Sequence, residues 1–189
     1  MVLEWKWDRI TMDFVTGLPL TPKKKDAIWV VVDRLTKSAH FISVCIDYSL
    51  NKLADLYIGE IVRLHRVPIS IIPDKDPRFT LWFSKKLQEA LGKKLNFSTT
   101  FHPQTNCQSE RVIQILEDML GCCILEFKGS WEKYLPLIEF AYNNSFQSSL
   151  KMAPYKALYG RKCRTLLYWT ELRKNQIHGV NFVTPLTHN

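Results

Sequence analysis

No apolar run in the sequence approaches the roughly 20 residues that cross a bilayer, and the longest, such as 27–32 and 67–73, stop well short. Met1 opens onto Glu4, Lys6, Asp8 and Arg9, so neither a membrane-spanning helix nor a signal peptide is expected. Glycine (7) and proline (9) are few and no repeat appears, which excludes collagen-like, disordered and low-complexity chains. The five cysteines are odd in number, two are adjacent, and none form Cys-x-x-Cys pairs. A reduced intracellular compartment is therefore the expectation. Acidic residues become scarce at the end: residues 140–189 hold seven bases against Glu171 alone, and supply six of the eight net positive charges. Such a segment fits phosphate contacts, although basic proteins without a nucleic-acid partner are equally common.

What is present is ordinary globular material: 189 residues, 46% hydrophobic and 23% charged, enough for one core. Ile10 to Val15, Ala27 to Asp33 and the loosely alternating His40 to Ile46 read as three successive strands, with 16–26 as the first turn. Leu53, Leu56, Tyr57, Ile61 and Leu64 recur at helical spacing and predict a helix over 50–64, ending before Pro68. Residues 68–72 predict a short buried strand, then Phe79 to Leu91 a helix stopped by Gly92. Leu95 to Ser98 reads as a further strand and 99–108 as a polar loop. Helical periodicity returns from Val112 to Phe127, from Trp131 to Asn143 and from Pro154 to Tyr159. The order βββαβαβααα describes one α/β domain over 5–165 with a basic tail at 166–189.

Three acids stand where their chemistry needs a reason. Asp13 lies inside the strand pattern Thr11 to Val15, where burying its charge costs several kcal/mol without a partner or metal. A strand-edge Asp facing water or pairing with Arg9 is the alternative. Asp74 follows the apolar strand, the position at which open α/β sheets present functional side chains. Asp76 precedes Pro77 and reads as a helix N-cap, which leaves Asp74 free for chemistry unless both merely shape a turn. Glu110 falls early in the long helix, on the face of Gln114 and Glu117; a capping box of Thr105 and Gln108 does not require it, and plain surface charge is its alternative.

Together the acids are more specific, with 35 residues between Asp74 and Glu110. Around them stand WDRITMDFVTGLP (7–19), VDRLTKSAHF (32–41), DKDPRF (74–79), FHPQT (101–105), QSER (108–111), WEKYLPLIEFAYNN (131–144) and MAPYKALYG (152–160). In these motifs the chain resembles the integrase catalytic core of gypsy-type LTR retrotransposons, a DDE integrase, over roughly residues 5 to 165. The resemblance implies a ribonuclease H-like α/β fold, a five-stranded mixed sheet flanked by helices. It implies that Asp13, Asp74 and Glu110 form a catalytic triad holding two Mg²⁺ or Mn²⁺ ions, hard cations that prefer oxygen ligands. The activity implied is metal-dependent polynucleotidyl transfer: 3′-end processing of the element's DNA, then strand transfer into target DNA. DNA partners, a homo-oligomer and nuclear action follow from the same resemblance, with no membrane partner.

The pattern departs from the family at Cys107, where glycine is usual, at Pro73, where Ser or Thr is usual, and at Asn106. A side chain at 107 would cost on the order of 1 to 2 kcal/mol if that position needs a left-handed backbone. The family's N-terminal zinc module and C-terminal DNA-binding domain are expected to be absent, and a catalytically inactive remnant with weak nucleic-acid binding is the alternative function. His102, Gln104, Arg111, Arg161, Lys162 and Arg164 are candidate DNA contacts; plain exposure is the commoner reading for a loop histidine, and for Arg161, Lys162 and Arg164 solvated charge is an equal alternative. Lys23 to Lys25 reads as solvated charge. Trp5, Trp7, Trp29, Trp82 and Trp131 sit in apolar patterns and are expected in the core.

Overall fold

The computed structural model describes residues 5–73, 77–91, 106–127 and 131–163. Four strands form one mixed sheet: β1 (Arg9–Val15), β2 (Ala27–Asp33), β3 (Ala39–Val44) and β4 (Ser70–Pro73). Their order is β3-β2-β1-β4, with β1 antiparallel to β2, β2 antiparallel to β3, and β1 parallel to β4. β2 is buried along its whole length, which explains a run without polar alternation: both of its faces are covered. The fifth expected strand, Leu95 to Ser98, lies outside the described residues, as do the Asp76 cap and the Thr105 capping box. Among the described residues the sheet has four strands.

Strand alternation divides the core in two. Ile10 and Met12 of β1 with Ala27, Trp29 and Val31 of β2 face one side. That side is covered by α1 (Leu50–Tyr57) and α3 (Pro77–Leu91), through Leu53, Tyr57, Phe83 and Leu87. Phe83 meets the edges of Trp29 at 5.3 Å and Tyr57 at 5.6 Å between ring centres, the edge-to-face geometry that aromatic quadrupoles favour. The Ser49 hydroxyl caps α1 by accepting from the Lys52 N–H. α1 runs on through a π-helical stretch, Ile58–Val62, into a short α2 (Arg63–His65), which ends before Pro68 as the sequence predicts.

Val15 of β1, Ile28, Val30 and Val32 of β2, and Ala39 and Phe41 of β3 face the other side. Here α4 (Asn106–Phe127) contributes the helical stripe Val112, Ile113, Leu116 and Leu120, and α5 (Trp131–Asn144) contributes Trp131, Leu135, Ile138 and Tyr142. α5 also covers the edge strand β3. The fully buried Asn143 amide accepts from Ala39 N–H at 3.0 Å and donates to Ala39 C=O at 2.8 Å, so a side chain pairs with the strand as another strand would. Glu139 accepts from Phe41 N–H at 2.7 Å. The last helix, α6 (Pro154–Tyr159), starts on proline and is closed by Gly160 in the left-handed conformation, φ 74°.

Trp7, Trp29 and Trp131 are core residues, but Trp5 and Trp82 are 59% and 61% exposed, contrary to the expectation from their apolar surroundings. On α3 only one of the adjacent Trp82 and Phe83 can face the sheet, and the sheet takes Phe83.

Candidate active site

Asp13 lies toward the C-terminal end of β1. Its cross-strand partner is Val30, and alternation puts position 13 on the face shared with Val15 and Val30, the face that α4 covers. The residue is half-buried, and its Oδ1 accepts from the Phe14 N–H at 2.7 Å, which restrains the carboxylate.

Parallel pairing of β1 with β4 runs through Arg9↔Ser70, Ile10↔Ile71, Thr11↔Ile72 and Met12↔Pro73. Asp13 follows the last pair by one residue on its strand, and Asp74 follows it by one residue in the sequence. Asp74 itself lies outside the described residues. α4 packs against β1, and position 110 is within the first two turns of that helix. The Glu110 carboxylate lies outside the description. Among the described residues, no three His, Cys, Asp or Glu side chains gather into a group able to hold a metal ion. Carboxylate oxygens are the donors that Mg²⁺ or Mn²⁺ prefers, and of the three expected acids only the Asp13 carboxylate falls among the described residues.

The departures at Pro73 and Cys107, two of the three in the sequence, fall in regular backbone. Pro73 closes β4 opposite Met12, a strand-end position where a missing N–H costs little. α4 begins at Asn106, earlier than the loop expected over 99–108, so Cys107 stands in a helical turn and carries no left-handed penalty.

Of the candidate DNA contacts, Arg111, Arg161 and Lys162 are exposed, the first on α4 and the others just after α6. His102, Gln104 and Arg164 lie outside the described residues. The sequence reading gave no role to Asp33, which is 0% exposed. Its carboxylate accepts from Trp7 N–H and Thr36 N–H, each at 3.0 Å, and from the Thr36 hydroxyl at 2.6 Å, so it holds the turn after β2. The Asx-type spacing from Asp33 to Thr36 is the signal that would have found it.

No family model matches the chain. In sequence it is 29% identical over 156 residues to the Transposon Tf2-3 polyprotein of Schizosaccharomyces pombe, a match spanning 82% of this chain and 12% of the polyprotein; the Tf2-4 polyprotein matches equally. In structure it superposes on the HTLV-2 integrase catalytic core domain in complex with magnesium, with TM-score 0.58 and 14% identity, covering 80% of this chain and 95% of that one. The fold is that of an integrase catalytic core. The BIV integrase core agrees, with TM-score 0.57 and 18% identity over 90% of this chain and 99% of that one. A simian T-cell lymphotropic virus intasome in complex with PP2A regulatory subunit B56 gamma gives TM-score 0.62 at 16% identity, over 84% of this chain and 56% of that one. The chain is thus similar to retrotransposon polyproteins in sequence and to retroviral integrase cores in fold.

Proposed function

We propose that the chain is the catalytic core of an LTR retrotransposon integrase, which trims the element's DNA ends and joins them to target DNA. The observation that carries this reading is the parallel β1–β4 ladder ending at Met12↔Pro73, one residue short of both aspartates, with the Glu110 helix packed on β1. Asp13, Asp74 and Glu110 are the proposed metal-binding triad. When bound, Mg²⁺ or Mn²⁺ held by these carboxylates would supply Lewis acidity to the phosphoryl transfer. The chain's part is to hold carboxylate oxygens at fixed positions. Asp13 does so from a rigid central strand, its rotation restrained by Phe14 N–H.

The magnesium named with the HTLV-2 core supports this choice of ion. His102, Gln104, Arg111, Arg161, Lys162 and Arg164 are proposed to contact DNA phosphates, and the acting form is proposed to be a homo-oligomer, since the HTLV-2 core is described in trimeric and dimeric forms. Chromosomal target DNA places the action in the nucleus. The inactive-remnant reading loses support because Pro73 and Cys107 are both accommodated.

The test incubates the protein, within its longer polyprotein context where needed, with a pre-trimmed DNA end and Mn²⁺. Strand joining is expected to fall to background in Asp13→Asn and in Asp74→Asn. Undiminished product from either would remove the proposed site. Product appearing only in Cys107→Gly would identify a remnant.

A further inference from the structure

Beyond α5 the chain makes a tight reversal, pinned by the bridge between Gln147 and Met152, and then enters α6. A cleft of about 490 Å³ opens between these segments. Lys151, Lys156 and Lys162 all line it, and its described lining contains no acid. No carboxylate among the described residues pairs with any of the three, so the described part of the cleft is cationic and favours an anionic ligand. Lys151 holds φ 54°, a conformation that side-chain-bearing residues rarely adopt, at the corner of the reversal. Phe146, also in the lining, is 70% exposed. Met152 adds a second apolar surface.

Cations beside an open aromatic ring meet the two chemical halves of one ligand: a phosphate backbone and the face of a base. A base in a duplex has its faces covered by its neighbours, so the ring selects an unpaired nucleotide. We propose that this cleft binds a single-stranded stretch of DNA, with the three lysines on successive phosphates and a base stacked on Phe146. Asp13 is not among the cleft's lining residues, and the lining includes Phe146, to which the sequence gave no role, while Lys151 and Lys156 belong to the basic segment 140–189. Only the choice of DNA over RNA rests on the integrase reading.

Binding is read by fluorescence anisotropy in EDTA, with Asp74→Asn as the parent protein, so that failure of the metal-site reading leaves the measurement intact. Replacing the three lysines by Gln is expected to lower the slope of log affinity against log salt by about 2, at about 0.7 per phosphate contact on a single strand. Phe146→Ala is expected to weaken a single-stranded oligonucleotide about tenfold while leaving its abasic counterpart and a blunt duplex unchanged. An unaltered salt slope in the lysine variant overturns the proposal. So does an equal loss for abasic and base-bearing strands, or displacement of the oligonucleotide by polyglutamate at matched charge. Tighter binding of the matched RNA would overturn the choice of DNA. Cys163, which also lines the cleft, gives a positional check: a strand carrying an activated disulfide should cross-link there and not in Cys163→Ser. Circular dichroism on each variant checks folding; Phe146, Lys151, Lys156 and Lys162 are all exposed.

Discussion

His40 and His65 form a short polar chain at the edge of the molecule, and their chemistry is settled by what each nitrogen faces. His40 Nδ1 lies 3.0 Å from Glu139 Oε1, and His40 Nε2 lies 2.8 Å from His65 Nε2. A carboxylate accepts only, so His40 Nδ1 carries a proton, and one of the two facing Nε2 atoms donates to the other. The flat face of His65 is stacked on Trp7, with ring centres 4.0 Å apart. Burial, assisted by the neighbouring His40, holds His65 down at about 4 from the usual 6.5. The folded value is below the unfolded one, so the unfolded chain binds the extra proton first. The contribution of neutral His65 is complete above pH 6.5 and is lost as the pH falls toward 4. The urea midpoint is accordingly expected to fall between pH 6.5 and 5, and His65→Gln to flatten that decline. A wild-type midpoint constant over this interval would contradict the assignment. At this scale the sequence was partly legible: Asp13 was marked by an acid within an apolar strand, whereas His40 and His65 are 25 residues apart and nothing local links them.

Among the elements, α5 does two jobs with adjacent stripes of its surface. Trp131, Leu135, Ile138 and Tyr142 pack on the sheet, while Asn143 and Glu139 satisfy backbone groups of β3 that an edge strand would leave to water or to another chain. Asn143→Ala removes both partners of Ala39 in a fully buried place, and the expected loss is about 1–3 kcal/mol for each group left unsatisfied. Chemical denaturation measures it, and a change below about 0.5 kcal/mol would show that water replaces the amide. Periodicity revealed α5 correctly and β2 to the residue, because a helix stripe and an apolar strand are properties of neighbouring residues. Periodicity failed at Trp82. Two adjacent aromatics on α3 lie about 100° apart around the axis, and the choice between them belongs to the sheet beneath.

For the whole molecule, the sheet separates two apolar clusters that share no side chain, one under α1 and α3 and the other under α4 and α5. Leu87→Ala and Leu116→Ala truncate fully buried residues on opposite sides, each at an expected cost of about 2–5 kcal/mol. Because the two sites share no partner, the double variant is expected to equal the sum within about 0.5 kcal/mol in urea unfolding. A larger discrepancy would mean that strain passes through the sheet. The sequence by itself determined the order of the described elements and marked the acids at 13, 74 and 110 as candidates, since each is written in residue type and short spacing. Only the tertiary structure decided that β4 lies parallel to β1 in the register ending at Met12↔Pro73, that Asn143 closes the β3 edge, and that three lysines surround one cleft. Those are pairings between segments far apart in the chain. Their partners are chosen when distant surfaces are buried together, and local propensity carries no information about which ones will meet.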